Sequence, residues 1–119
     1  MRGSKDHYMQ VRPFVLFKNH TCTPQDDEKM AKTGSYPSGH ASFGWAAALI
    51  LAEINPGRET DILKRGYDFG QSRVICGAHW QSDVDNGRLM GAAVVASLHS
   101  NPKFNMALNN AKEEFKQTI

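Results

Sequence analysis

Three side chains that could do chemistry together lie within twelve residues, from position 72 to position 83. Arg73 offers a planar guanidinium, which binds phosphate oxygens through several hydrogen bonds at once. A neutral imidazole at His79 can attack an electrophile, and a carboxylate at Asp83 can fix the tautomer of the ring and stabilise its charged form. Taken alone, this stretch also describes a buried histidine between solvated charges, so other parts of the chain must support the chemical interpretation.

Two further groups of polar residues could complete an anion site. Ser38, Gly39 and His40 place a hydroxyl, a glycine and an imidazole where a long apolar helix is predicted to begin. The free N–H groups and the dipole at a helix N-terminus attract anions. Lys5 and Arg12 are two cations near a proline, which keeps the residue before it out of a helical conformation. Without the rest, the first group is an ordinary helix cap and the second is solvated surface.

Together, the three groups are suited to binding a tetrahedral oxyanion and transferring it. Cations and N–H groups would neutralise the equatorial oxygens, which is the largest contribution to phosphoryl transfer. One imidazole would attack in line, and the other would protonate the leaving oxygen, a role worth a factor of about 10²–10⁴ in rate. The sequence shows no acidic cluster of the kind that holds a metal, so we expect no metal and no other cofactor.

The composition indicates one domain over residues 1–119, with 40% hydrophobic and 22% charged residues. The net charge of +2 is small and the charges are interleaved, which argues against nucleic acid or an anionic membrane surface as a partner. The longest apolar run, residues 41–54, is too short to span a bilayer, and no secretory signal is visible in the sequence.

Apolar periodicity predicts an all-α fold, a helical bundle of about four main helices with a long polar loop over residues 18–36. The first helix is expected to end at Ile54 and to be buried at the centre, because its residues are apolar on nearly every side. We expect an apolar segment, residues 14–17, to follow a polar turn or short helix that ends at Arg12 and Pro13. The signals that bound the other helices are Asn55-Pro56, Gly77, Ser82 as a hydroxyl cap, and Asn101-Pro102.

Cys22 and Cys76 leave two interpretations open. They are either two buried free thiols or, in an oxidising compartment, a disulfide bridge. Closing a loop of that length would stabilise the chain by about 4 kcal/mol in the chain-entropy model.

In order and spacing, the three groups resemble the three-part signature of the phosphatidic acid phosphatase type 2/vanadium haloperoxidase superfamily. The residues that carry the resemblance are Lys5, Arg12, Pro13, Pro37, Ser38, Gly39, His40, Ser72, Arg73, His79 and Asp83. Within the superfamily, residues 34–40 and 70–85 look like bacterial class A non-specific acid phosphatases, apyrase-like members included. Family members carry a further N-terminal helical half and a signal peptide, so the resemblance covers their C-terminal half only.

The resemblance implies a metal-independent acid phosphatase of the periplasm that hydrolyses phosphomonoesters through a phosphohistidine. His79 would be the nucleophile, Asp83 would orient it, and His40 would be the general acid and then the base. The residues that would hold the phosphate are Lys5, Arg12, Ser38, Gly39 and Arg73. A protonated His40 beside a neutral His79 implies an acidic pH optimum.

The expected partners are small-molecule phosphate esters or nucleotides, with inorganic phosphate and vanadate as ligands. Nucleotide phosphoanhydrides are further candidate substrates. The same intermediate could support phosphotransfer to an alcohol, and a vanadate-loaded site could support haloperoxidase activity. A different class of function also stays open, a truncated and catalytically silent helical domain that binds phosphate or packs on a partner. A helix face left open by the missing half could also mediate homo-oligomer formation.

Overall fold

The computed structural model describes residues 10–19, 21–32 and 34–118, and within these ranges it contains helices and no strand. The helices are α1 (Pro13–Leu16), α2 (Asp27–Ala31), α3 (Gly39–Ile54), α4 (Glu59–Ile75), α5 (Gln81–Leu98) and α6 (Pro102–Thr118). Two 3₁₀ turns, Pro24–Asp26 and Pro56–Arg58, precede α2 and α4. Four of the helices are long, so the prediction of an all-α bundle of about four main helices is confirmed.

Helix α3 lies between α4 and α5, and small residues let their backbones approach closely. Ala41, Ala48 and Ala52 are the buried residues of α3. On α5, a Cβ atom added to Gly87 would lie 2.5 Å from the carbonyl oxygen of Ser38 and would overlap it. The N-terminal half of α5 is therefore packed directly against the start of α3.

One face of α3 is open, which corrects the prediction that this helix is buried on every side. Phe43 is 75% exposed and Leu51 is 52% exposed. Both line an apolar groove of about 390 Å³ between α3 and α4, together with Ala47 and Ile62. Helices α4 and α5 cover only part of the circumference of α3, and no other helix of the described ranges covers the groove. An apolar sequence makes a helix suitable for burial, but burial requires enough neighbours.

Most of the predicted helix boundaries are confirmed. Ser38 caps α3, and its hydroxyl oxygen accepts a hydrogen bond from the backbone N–H of Ala41 at 3.1 Å. Asn101 accepts from two backbone N–H groups in the first turn of α6, which begins at Pro102. Gly77 follows the end of α4 and has a φ of +79°, a left-handed conformation that glycine adopts at little cost.

The predicted cap of α5 is wrong. This helix begins at Gln81, its N-cap is Trp80, and the carboxylate of Asp83 accepts from the backbone N–H of Trp80 at 2.7 Å. Ser82 lies inside the helix, because a carboxylate in the first turn supplies the charge-assisted cap instead.

Two smaller boundaries also differ from the prediction. The second helix does not start at Asn55, whose side chain makes no capping bond, since a 3₁₀ turn separates it from α4. The apolar segment after Arg12 is the one-turn helix α1, which begins at Pro13 because proline fits the first helical position.

The long polar segment before α3 is tied to the bundle. A disulfide joins Cys22 to Cys76 with a Cα–Cα distance of 5.0 Å, so the bridged interpretation of the two cysteines is correct. Thr21 donates hydrogen bonds to Asp27 through its hydroxyl and its backbone N–H. The segment also contains α2, which the sequence pattern did not predict.

The described part of the molecule measures 51 × 27 × 22 Å. In α6, Leu108 is the buried residue and Met106 is 67% exposed. None of the helices in the described ranges combines the length and the hydropathy that a membrane span requires.

Candidate active site

One open cavity of about 430 Å³ brings together side chains from all three sequence groups. Arg12, His40, Arg73 and His79 line it. Its other lining residues are Met30, Gly39, Phe43 and Phe69. Residues far apart in the chain therefore converge on one space, which the hypothesis of phosphoryl transfer requires. Lys5, the remaining predicted cation, lies outside the described residues.

Arg12 is held rigidly in the wall of this cavity. Its Nε donates to the carbonyl oxygen of Met30 at 3.0 Å, its Nη1 to that of Ala78 at 3.1 Å and its Nη2 to that of Gly34 at 3.3 Å. Its Nη1 also lies 3.2 Å from Nε2 of His79. Arg12 as a whole residue is 6% exposed, so burial and hydrogen bonds fix the position of its guanidinium beside the imidazole.

His79 has a defined tautomer. Its Nδ1 lies 2.8 Å from the carbonyl oxygen of Ser35, and because a carbonyl oxygen only accepts, Nδ1 carries the proton. The other nitrogen, Nε2, keeps its lone pair and accepts from Arg12. A buried imidazole whose deprotonated nitrogen lies at the edge of a cavity has the form that a nucleophile needs.

Asp83 supports His79 less directly than the sequence predicts. The distance from its Oδ2 to Nδ1 of His79 is 3.9 Å, which is too long for a hydrogen bond. Its Oδ2 accepts instead from the backbone N–H of Trp80 and from the hydroxyl of Ser35. In the described part of the chain, Oδ1 has no hydrogen-bond partner. The carboxylate therefore acts on the ring through its charge and through Ser35.

Ser35 is the residue that sequence reasoning missed. It contacts His79 through its backbone carbonyl, a group that every residue has, so its residue type gave no signal for this role. Its place within the stretch 34–40 was the only available hint.

The start of α3 contributes two residues to the cavity and one to its support. Gly39 and His40 line the cavity, and the ring of His40 is exposed with its centroid 6.1 Å from that of Phe69. Ser38 is fully buried; its hydroxyl caps α3, and its backbone N–H donates to the carbonyl oxygen of Asp83 at 3.0 Å. This last bond ties the start of α3 to the start of α5.

Arg73 is the second cation of the cavity and leaves the last turn of α4. Its Nη2 donates to the sulfur of Met30 at 3.5 Å, and its Nε has no hydrogen-bond partner within the described residues. Burial lowers the pKa of Arg73, against the opposing charge of Asp26. Burial and the charge of Arg73 also lower the pKa of Arg12, against the opposing charge of Asp83. Both guanidiniums stay charged at neutral pH, so an anion between them would relieve an unfavourable cluster of charge.

Among the residues that the structure describes, no three His, Cys, Asp or Glu side chains are grouped as metal ligands.

The chain matches known proteins over most of its length. The PAP2 superfamily pattern matches residues 1–107. A non-specific acid phosphatase of Providencia stuartii is 56% identical over 114 residues, which are 96% of this chain and 46% of that protein. A non-specific acid phosphatase of Salmonella typhimurium is 52% identical over 112 residues, 94% of this chain and 45% of that protein. An acid phosphatase of Zymomonas mobilis is 44% identical over 114 residues, 96% of this chain and 43% of that protein. The chain thus spans less than half the length of these relatives.

Proposed function

The chain belongs to the PAP2 superfamily, and from this premise we propose that it is an acid phosphatase that hydrolyses phosphomonoesters through a phosphohistidine. The observation that carries the proposal is the lone pair on Nε2 of His79, which lies beside Arg12 at a cavity shared with Arg73 and His40. The acid phosphatases among its relatives support the same reaction class.

We assign phosphate binding to the cationic side chains of the cavity. Arg12 and Arg73 neutralise the non-bridging oxygens, and the N–H groups at the start of α3, Gly39 among them, add hydrogen bonds and the helix dipole. Ser38 holds that helix start in place, and Lys5 is assigned to the same anion by its position in the family signature. A phosphate oxygen that accepts from Nη1 of Arg12 competes with Nε2 of His79 for the same donor, and this competition makes the lone pair of Nε2 available for attack.

The first chemical step transfers the phosphoryl group to His79. The lone pair of Nε2 forms a bond to phosphorus while the bond from phosphorus to the ester oxygen breaks. The electron pair of that bond goes to the leaving oxygen, and His40 supplies a proton to it, so the alcohol leaves neutral. The phosphoimidazole keeps its proton on Nδ1 and is cationic, and the negative charge of Asp83, 3.9 Å away, stabilises it.

The second step returns the enzyme to its starting state. His40, now neutral, takes a proton from a water molecule whose oxygen attacks phosphorus. The P–N bond breaks, its electron pair returns to Nε2, and inorganic phosphate leaves. No step requires a metal ion or another cofactor. A cycle that begins with a protonated His40 favours acidic pH.

The shape of the cavity supports small esters as substrates. Its volume of about 430 Å³ and its apolar side, formed by Met30, Phe43 and Phe69, suit an organic leaving group next to the phosphate. Nucleotides are further proposed substrates. Vanadate is proposed as a ligand because its oxygens occupy the same tetrahedral positions as those of phosphate.

The disulfide supports a location in the periplasm, since such bonds persist in oxidising compartments and are rare in the cytosol. The open apolar groove between α3 and α4 supports self-association of the isolated chain, because exposed apolar surface of this kind favours contact with a second copy. Sedimentation velocity over a range of protein concentrations tests that part of the proposal.

The direct test is release of phosphate from an aryl phosphate at mildly acidic pH with a chelator present. Rapid acid-free quenching with a radiolabelled substrate is expected to trap acid-labile phosphate on His79. His79→Ala should abolish turnover, while His40→Ala should slow it by a factor of about 10²–10⁴. Label found on Ser38 would refute the assigned nucleophile.

A specific observation favours one second candidate. Phe43 lines the cavity and is 75% exposed, so the cavity is open to solvent on this side, and a catalytically silent domain that binds phosphate is the alternative. Binding of inorganic phosphate without turnover, together with no effect of His79→Ala, would support that alternative and reject the enzyme.

A further inference from the structure

Ser35 contacts both residues on which the nucleophile depends. Its carbonyl oxygen accepts from Nδ1 of His79 at 2.8 Å, and its hydroxyl donates to Oδ2 of Asp83. The residue is completely buried, as is Asp83, so water does not compete for either contact. One residue thus joins a fixed carboxylate to the imidazole.

Asp83 is well placed to act as the fixed end of this connection. It lies in the first turn of α5, and its Oδ2 also accepts from the backbone N–H of Trp80 at 2.7 Å. Its backbone carbonyl in turn accepts from Ser38 at 3.0 Å, at the start of α3. The starts of two helices therefore hold the residue, one through its backbone carbonyl and one through its carboxylate, while the carboxylate is too far from His79 for a direct hydrogen bond.

The backbone of Ser35 needs the hydroxyl contact to keep its orientation. Its N–H donates to the carbonyl oxygen of Gln10 at 2.7 Å, which fixes one side of the residue. The bond from its hydroxyl to Asp83 fixes a second direction, and these two contacts together determine where the carbonyl points. Without the second contact, the peptide group that follows Ser35 could rotate and move its oxygen away from Nδ1.

We propose that Ser35 is a positioning residue for the nucleophile: it transmits the position of Asp83 to His79 and keeps the ring proton on Nδ1, so that Nε2 stays unprotonated and retains the lone pair that attacks. The effect on turnover rests on the proposed function. The effect on the tautomer does not, because it follows from the hydrogen bonds alone.

The test compares Ser35→Ala with the unchanged chain and with Ser35→Thr, which retains the hydroxyl. We expect Ser35→Ala to lower kcat for an aryl phosphate about tenfold, the effect of losing one hydrogen bond to a charged group. KM should change less than twofold, because Arg12 and Arg73 stay in place. Ser35→Thr should recover most of the lost kcat. A structural defect alone would lower the fraction of active protein and would not change the tautomer.

The tautomer is measured separately, from the nitrogen chemical shifts of ¹⁵N-labelled histidine. The unchanged chain is expected to show His79 with its proton on Nδ1, and Ser35→Ala should show a mixture of both tautomers. If Ser35→Ala does not fold, Ser35→Cys offers a side chain of similar size with a much weaker donor and should show the same mixture.

The outcomes separate this proposal from the proposed function. A chain without phosphatase activity rejects the function, and the NMR measurement then still decides the role of Ser35. A His79 ring that stays on one tautomer in the Ala or Cys variant overturns the proposal, whatever the turnover. In a double-mutant cycle, Ser35→Ala and Asp83→Asn together should lower kcat little more than the stronger single change, and fully additive losses would likewise overturn it.

Discussion

Arg12 and Arg73 carry the same charge at the same cavity, but the protein holds them in different ways. Arg12 is buried and donates to three backbone carbonyl oxygens, so it is part of the framework as well as of the proposed anion site. Arg73 is half-buried and donates to the sulfur of Met30, a weak acceptor. A phosphate that binds Arg73 would displace only the weak contact with the sulfur of Met30. At Arg12, the phosphate would share the guanidinium with the three carbonyl oxygens that already accept from it.

Replacing each arginine by alanine should therefore have different consequences for stability. Both variants should raise the Kd for inorganic phosphate by about 10–100-fold, because each removes a charge-assisted contact. Arg12→Ala should also lower the free energy of unfolding by about 3 kcal/mol, since it leaves buried carbonyl groups without donors. Arg73→Ala should change it by less than about 1 kcal/mol. Calorimetric titration and urea unfolding measure the two quantities, and equal destabilisation would contradict this distinction.

At this scale, the sequence identifies side chains better than it identifies contacts. The types and spacing of Arg12, His40, Arg73 and His79 predicted a shared anion site, and these four residues do line one cavity. The partner of Nδ1 could not be predicted, because it is the backbone carbonyl of Ser35 and depends on the path of the chain.

Among the contacts between helices, that of α5 with the start of α3 matters most for the site. Gly87 lies against the carbonyl of Ser38, and a Cβ atom there would also be 3.1 Å from the Cβ of Ala41. These are neighbours of Gly39 and His40 in sequence, so the packing of α5 sets the position of the helix end that faces the cavity.

Gly87→Ala should lower stability by about 1–3 kcal/mol and weaken phosphate binding, because the added methyl group pushes the start of α3 away. Alanine is a better helix former than glycine by about 1 kcal/mol, so helix propensity alone would stabilise the variant. A net loss of stability would therefore show the clash between the added methyl group and the start of α3. Gly57→Ala is the matched control, since the nearest atom to its Cβ would be 3.7 Å away. Thermal unfolding and phosphate titration test both variants, and a Gly87→Ala protein with normal stability would refute this packing argument.

A second contact between elements joins the C-terminal ends of α3 and α5. Nδ1 of His99 lies 2.7 Å from the carbonyl oxygen of Val95, and its Nε2 lies 2.8 Å from Oε1 of Glu53. Both ring nitrogens face acceptors, so the doubly protonated ring satisfies both contacts. The Val95 carbonyl and the Glu53 carboxylate accordingly raise the pKa of His99 above 6.5, against smaller opposing effects of burial and of Lys112.

This contact predicts a loss of stability as the pH rises. A raised pKa in the folded state stabilises it fully below the unfolded value of 6.5, and the contribution disappears as the pH rises through the folded value. Between pH 6.5 and the folded pKa of His99, the Tm of the unchanged chain should fall with rising pH more steeply than the Tm of Glu53→Gln. This variant keeps a hydrogen-bond acceptor at position 53 and loses the negative charge. Glu59→Gln is the control, because Glu59 lines a cavity that Glu53 and His99 also line. The Tm of this variant should fall with rising pH as steeply as that of the unchanged chain. Equal slopes in all three proteins would show that the contact contributes nothing.

A helix boundary could be predicted where one residue alone caps the helix, and it was uncertain where two neighbouring residues could both act as the cap. Ser38 and the Asn101-Pro102 pair each act on the turn that follows them, and both predictions hold. The start of α5 depends on a competition between Ser82 and Asp83 that sequence cannot decide, and the carboxylate caps the helix because it also bonds Ser35 inside the protein.

For the molecule as a whole, the burial of α3 was the least predictable feature. The apolar residues of α3 predicted a central helix, and α4 and α5 do flank it, but its third side is open at Phe43 and Leu51. Periodicity states which faces prefer to be buried and gives no information on how many neighbours are present. With limited packing around α3, covalent links matter more to the stability of the chain.

The disulfide between Cys22 and Cys76 is the main such link, and it spans 54 residues, from the segment before α2 to the end of α4. Removing it with Cys22→Ser and Cys76→Ser should lower the free energy of unfolding by about 4 kcal/mol in the chain-entropy model. For a chain of this size, this corresponds to a fall in Tm on the order of 15 °C. The segment it anchors also carries Met30, whose carbonyl oxygen accepts from Arg12, so phosphate binding should weaken as well.

Reductant provides the matched control for this prediction. Dithiothreitol should lower the Tm of the unchanged chain toward that of the double Ser variant and should leave the variant itself unaffected. Scanning calorimetry under both conditions measures the four values, and phosphate titration on the same samples shows whether the anchor acts on the site. If the variant matches the unreduced chain in both Tm and phosphate Kd, the segment before α3 is held by its hydrogen bonds alone, and the bridge contributes neither to stability nor to the placement of Arg12.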